Sequence, residues 1–133
     1  TMRVLAKRGA YVLGTSRSLE RAEAACRKVV GVTSPLQLDL GDFDSVARCA
    51  DAILKLRSPI DILVCNAGYR GGGDERQLIN GVEKHFVINH LGHFILVNRL
   101  LARLAVDRDD HQGHDRRHEA GGADVRRRAG AVV

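Results

Sequence analysis

At 133 residues, with 44% hydrophobic and 28% charged side chains, the chain has room for one compact globular domain and a single core. Its net charge of +5 arises from 17 Arg and 4 Lys scattered among 16 acidic residues, with 4% aromatics and no Trp. A nucleic-acid groove needs clustered cations interleaved with stacking rings, so no nucleic-acid partner is expected. No run approaches the roughly eighteen apolar residues that span a bilayer, and no charged-then-apolar leader opens the chain, so no membrane span and a cytoplasmic location are expected.

From Thr1 to Arg8 the apolar positions Met2, Val4, Leu5 and Ala6 fit the end of a helix, stopped at Gly9, where a left-handed cap is cheapest. The amphipathic pattern is already under way at the first residues, which suggests that the chain begins inside an element. Ala10 to Thr15 is short, apolar and bounded by polar residues, as a strand buried on both faces should be. Ser18 can cap a second helix carrying Leu19, Ala22, Cys26, Val29 and Val30 at helical spacing as far as Gly31. Pro35 to Leu40 alternates with period two, and Gly41-Asp42 supplies a turn and a cap for a third helix that ends at Ser58-Pro59. Ile60 to Cys65, with four strong apolar side chains in six residues, fits a central parallel strand.

Gly68 to Gln77 is a polar, glycine-rich loop, and a long helix is predicted from about Asn80 to Leu104. Its predicted inner side carries Val82, Phe86, Asn89, Leu91, Phe94, Val97, Leu100, Leu101 and Leu104, with Gly92 marking close packing or a site. Cys26, Cys49 and Cys65, odd in number and widely spaced, read as small core hydrophobes in a reducing compartment. His85, His90 and His93 read as helix packing and surface groups, since their spacing suits no metal site. Helices alternating with strands predict a doubly wound parallel α/β sheet over residues 1–106.

Residues 107–133 differ in kind. They contain no Leu, Ile, Phe, Tyr, Met or Lys, are rich in Arg, Asp, His and Gly, and show no period until the closing Ala129 to Val133. Most of this tail is expected not to pack. The spacing of His111, His114 and His118 with Asp115 offers metal-ligating groups on one helix side, but Gly113 and the lack of apolar support argue against a metal site, and Arg126-Arg127-Arg128 reads as a solvated run. Its composition is what translation of a GC-rich gene out of frame would produce, an expectation that the other two reading frames would test.

Asn66-Ala67-Gly68 at the end of the apolar run, followed by Asn89-His90-Leu91-Gly92-His93-Phe94, resembles the short-chain dehydrogenase/reductase family, in particular the retinol dehydrogenase and WW-domain-containing oxidoreductase subgroup. The resemblance covers about residues 1–104. It implies an incomplete Rossmann-like sheet in which Asn66, Ala67 and Gly68 line the cofactor. It also implies that Asn89 bends its helix and relays a proton through a water on its backbone carbonyl. Asp39-Leu40 matches the family's adenine contact, although Asp39 also reads as a plain turn aspartate. Ser16-Arg17 closes the second family strand, where an acid would select NAD; an arginine there favours NADP.

Two parts of that family's machinery are absent from this sequence. Its glycine-rich phosphate turn and first strand would precede Thr1, which would leave two buried strand edges without partners unless those strands pair directly. Its catalytic serine and Tyr-x-x-x-Lys pair have no counterpart: the tyrosines are Tyr11 and Tyr69, with Thr15 and Gly73 four residues on, no lysine follows Lys84 and no serine follows Ser58. The expectation is a fragment of an NAD(P)-dependent oxidoreductase acting on a small alcohol or carbonyl substrate, inactive as this chain and from a parent that could be a homo-oligomer. The alternative is a non-catalytic module binding a nucleotide or partner.

Overall fold

The computed structural model describes residues 1–71, 77–104 and 129–132, the last as backbone. Helix α1 (Met2–Lys7) ends as predicted: Gly9 turns left-handed at φ 86° and its amide donates to the Ala6 carbonyl at 3.0 Å. Strand β1 (Tyr11–Ser16) follows, then α2 (Leu19–Arg27), where the Ser18 hydroxyl accepts from the Arg21 amide. This helix stops four residues short of Gly31. Ala22 and Cys26 are its buried positions, whereas Leu19 and Val30 are exposed.

Strand β2 (Thr33–Gln37) pairs earlier than the period-two pattern predicts, and Leu38 and Leu40 are buried beyond its end. Asp42 caps α3 (Phe43–Lys55) by accepting from the Asp44 amide at 3.0 Å. Strand β3 (Ile60–Val64) is next. The predicted long helix starts later than Asn80, because Asn80 and Gly81, at φ 50° and 79°, form a left-handed two-residue turn between β4 (Leu78–Ile79) and β5 (Val82–Glu83). Asn-Gly is a strong hairpin signal that the helical reading passed over. The helix then runs unbroken through α4 (Lys84–Phe86), a π turn (Val87–Leu91) and α5 (Gly92–Leu104).

The main sheet is parallel, in the order β2-β1-β6-β3, where β6 is Ala129–Val132. The slot between β1 and β3, expected to be vacant or closed by direct pairing, is filled by the end of the tail. Tyr11 and Ile60 lie opposite Ala129, and Gly14 and Val64 opposite Val132. The remainder of 107–133, including the three histidines, Arg126 to Arg128 and the proposed boundary after 106, lies outside the described residues, as do Gly72 and Gly73. Among the described residues β3 pairs with β6 alone and so lies at the margin of the described sheet, with Asp61 and Ile62 exposed.

Helices cover both faces of β1. On one face a side chain at Gly14 would press on Cys26 Sγ (2.8 Å) and Met2 Sδ (2.9 Å), so α1 and α2 can approach only a glycine. On the other, Leu13 joins Leu38, Leu40, Val46, Cys49, Ala50, Ile53, Ile60, Leu96 and Leu100 in the core. The inner face of the last helix is therefore Val87, Gly92, His93, Leu96 and Leu100, while Phe86, Phe94 and Leu101 point outward, contrary to the straight-helix pattern. The π turn is the reason, since its wider winding shifts the helical phase at its middle. Gly92 shows the close packing predicted for it: a Cβ there would collide with the Leu40 carbonyl and lie 2.9 Å from Leu40 Cβ. Cys26 and Cys49 are buried, and burial pushes the Cys49 thiol up to about 11; Cys65, just past β3, is exposed and does not serve as a core residue. No helix among the described residues is long and apolar enough to cross a membrane.

Candidate functional site

The carboxyl ends of β1, β2 and β3 open on one side of the sheet, and the segments that leave them enclose a cleft of about 320 Å³. In open α/β sheets ligands bind in this position, because strand ends and loops diverge there. Its walls are Thr15 and Ser16 at the end of β1 and Arg17 after it; Leu38, Asp39 and Leu40 after β2; Ala67, Gly68, Tyr69 and Arg70 after β3; and Ile88 from the π turn. Six predicted residues far apart in sequence, Ser16, Arg17, Asp39, Leu40, Ala67 and Gly68, therefore share one cavity. Asn66 is exposed and is not among its lining residues.

Each wall is held by short-range chemistry. The Leu38 amide donates to the Ser16 carbonyl at 2.8 Å and the Gln37 amide group to the Arg17 carbonyl at 3.1 Å, which fixes the end of β1 against that of β2. Asp39 does serve as a turn residue. Its amide donates to Ser45 Oγ at 3.0 Å and its Oδ1 accepts from the Gly41 amide at 2.9 Å, which leaves its second carboxylate oxygen for other work. Among the described residues the Arg17 guanidinium forms no ion pair.

The third wall is tied to the long helix. Asn89, in the π turn, accepts from the Tyr69 amide at Oδ1 (2.6 Å) and donates from Nδ2 to the Tyr69 carbonyl (3.1 Å). It was expected on the buried side of the helix; it is exposed, and its polarity is met by this clamp on the loop backbone. One turn on, His93 Nε2 lies 2.8 Å from the Ala67 carbonyl oxygen. Beyond them, the Glu83 carboxylate accepts from the His85 and Phe86 amides at 2.9 and 2.8 Å, which holds its pKa down at about 2. His85 Nδ1 faces Glu83 at 2.7 Å and its Nε2 accepts from the Gly71 amide at 3.1 Å. The histidines thus work singly, and no group of three metal-ligating side chains occurs among the described residues.

The sequence reading missed Thr15, Leu38, Tyr69, Arg70 and Ile88 in the cleft; Thr15 and Leu38 directly precede predicted residues. Tyr69 and Arg70 could have been found as the direct continuation of Asn66-Ala67-Gly68. Ile88 could not, because its place depends on the phase of the π turn. Nucleotide-shaped chemistry fits this cavity at one end only. The volume, the second Asp39 carboxylate oxygen and the Arg17 guanidinium suit an adenosine moiety, whereas a turn of several glycines opening a helix, which would take a pyrophosphate, is not found among the described residues: Gly41 before α3 stands alone.

Comparison with known proteins agrees with this geometry. The family model for short chain dehydrogenases matches residues 1–114. Retinol dehydrogenase 13 of Homo sapiens is 35% identical over 105 residues, covering 75% of this chain and 31% of that protein. The WW domain-containing oxidoreductase of Gallus gallus is 34% identical over 105 residues, covering 75% of this chain and 25% of its own length. A crystal structure of a metagenomic short-chain oxidoreductase in complex with NADP superposes with a TM-score of 0.64 at 26% identity, over 77% of this chain and 48% of that one. The chain thus spans about a quarter to a third of the length of these curated relatives. On the motifs, the parallel sheet and the matched residues together, the chain belongs to the short-chain dehydrogenase family.

Proposed function

We propose that the cleft binds the adenosine half of NADP(H), in preference to NAD(H), and that the protein from which this chain comes moves hydride between the nicotinamide and a small, lipophilic alcohol or ketone. The observation that carries this reading is the convergence of Ser16, Arg17, Asp39 and Leu40 with Ala67 and Gly68 on one cavity at the strand ends. A 2′-phosphate would sit against the Arg17 guanidinium as a charge-assisted pair, and the absence of an acid between Arg17 and Glu20 leaves nothing to prefer a bare ribose hydroxyl. Asp39 and Leu40 would bound the adenine, and Ala67 and Gly68, with little side chain, would let backbone come close to the ligand. When bound, the nicotinamide supplies the hydride chemistry.

Proton transfer to or from the substrate oxygen needs a group of lowered pKa beside it, and this sequence has no Tyr-x-x-x-Lys to provide one. Asn89 would take part through its backbone carbonyl, in the π turn next to the cleft wall. The chain by itself is therefore a nucleotide-binding unit without turnover. Fluorescence titration with NADPH and NADH tests this: saturable NADPH binding is expected, tighter than NADH, with the preference lost in Arg17→Glu. Absence of saturable binding for both nucleotides overturns the reading. Turnover of a lipophilic alcohol or ketone by the purified chain overturns its inactivity.

A further inference from the structure

His93 is the buried polar group that this account leaves unused. It is 9% exposed, on the inner face of α5 that also buries Leu96 and Leu100. Its Nε2 lies 2.8 Å from the Ala67 carbonyl oxygen. A carbonyl can only accept, so Nε2 is the donor, and in the neutral ring Nδ1 keeps its lone pair. That Nδ1 is buried and has no hydrogen-bond partner among the described residues. Stranding a nitrogen in an apolar setting opposes folding, so packing alone does not account for an imidazole here; the bond to Ala67 does.

Ala67 is a wall of the cleft, and the bond directs its carbonyl toward α5. Released, that oxygen could turn toward the cavity, where its partial negative charge would oppose a phosphate. Asn89 already holds the backbone of Tyr69 two residues on, so the turn is gripped from one helix at two points. We propose that His93 is a positioning residue, whose Nε2–H holds the Ala67 carbonyl out of the cleft and so keeps the turn in the form that admits the nucleotide. The proposal rests on the cleft being the nucleotide site.

The test uses the full chain and three measurements. Long-range ¹H–¹⁵N correlation reads the His93 tautomer, and the proton is expected on Nε2; an Nδ1–H tautomer overturns the proposal without any variant. NADPH titration compares wild type with His93→Phe, which keeps the ring and loses the donor, and His93→Gln, whose amide can reach the same carbonyl. The phenylalanine variant is expected to bind about tenfold more weakly, the size of one neutral hydrogen bond, and the glutamine variant to recover most of that loss. Equal binding by all three overturns the proposal, as does equal weakness of the two variants, which would mark a packing role. Exchange of the Tyr69 amide should quicken in His93→Phe and not in His93→Gln. If wild type binds no NADPH, the cleft reading falls together with the nucleotide half of this proposal. The tautomer and the Tyr69 exchange then still decide whether His93 holds the turn.

Discussion

Strands β1 and β3 are similar in sequence and opposite in surroundings. Both are short apolar runs followed by polar residues, yet β1 buries Val12 to 0% and Leu13 to 2% exposure, whereas β3 fully buries only Ile60 and leaves Ile62 46% exposed. The difference lies in their neighbours. Strand β1 has β2 and β6 on its flanks and helices on both faces; β3 has β6 on one flank and no described strand on the other. An apolar run states that a strand can be buried, and the number of layers around it states whether it is.

The strongest way to break this comparison is to remove residues 129–133. Both β1 and β3 would then present a buried edge, and each unpaired amide or carbonyl costs about 1–3 kcal/mol, so a few would exceed the roughly 5–15 kcal/mol that hold a domain together. Loss of cooperative thermal unfolding is expected; an unchanged transition would mean that β1 and β3 pair directly. Next in size, Leu13→Ala should lose about 2–5 kcal/mol in urea unfolding, while Ile62→Ala should lose less than about 1 kcal/mol. Similar losses at the two sites would mean that β3 is covered on its outer side.

Gly92→Ala sharpens the link between α5 and the cleft. In an exposed helix the change would stabilise by about 1 kcal/mol, but the Leu40 backbone leaves no room for a Cβ, so a net loss of about 1–3 kcal/mol is expected. A stabilised variant would show that the helix does not rest on Leu40. The smallest effect concerns Glu83. Its carboxyl is held at about 2, below the usual 4.5, by the His85 and Phe86 amides, so its stabilising contribution is complete above about pH 4.5 and lost as pH falls toward 2. The stability difference between wild type and Glu83→Gln should therefore shrink over that window; a difference independent of pH would mean that the carboxylate does not cap the helix.

Much of the cleft was legible because it is built from strand ends. Arg17, Asp39 and Gly68 are close in space for the reason that they each follow a strand of one parallel sheet, and that order can be read from apolar runs separated by helical spacing. Tyr69 and Arg70 only extend the same segment. Asn89 was legible as a polar residue in an apolar stretch, though its partner, the Tyr69 backbone, was not. The Asn80-Gly81 hairpin was legible and passed over, since helical periodicity around it suggested one long helix.

Other features had no local signature. A π turn, whose extra winding lies within Val87–Leu91, decides that Val87 and Leu96 face inward while Phe86 and Phe94 face out. A segment of small residues at 129–132 becomes an inner strand of the sheet because two ladders lack partners there, and backbone hydrogen bonding is indifferent to side-chain identity. The amino-acid sequence by itself determined the family, the alternation of strands and helices and six of the residues that meet in the cleft, since these follow from motifs, periodicity and caps. Only the tertiary structure decided which strand is buried, which face of the last helix packs, and that His93 reaches Ala67, because these depend on what stands beside each element in space.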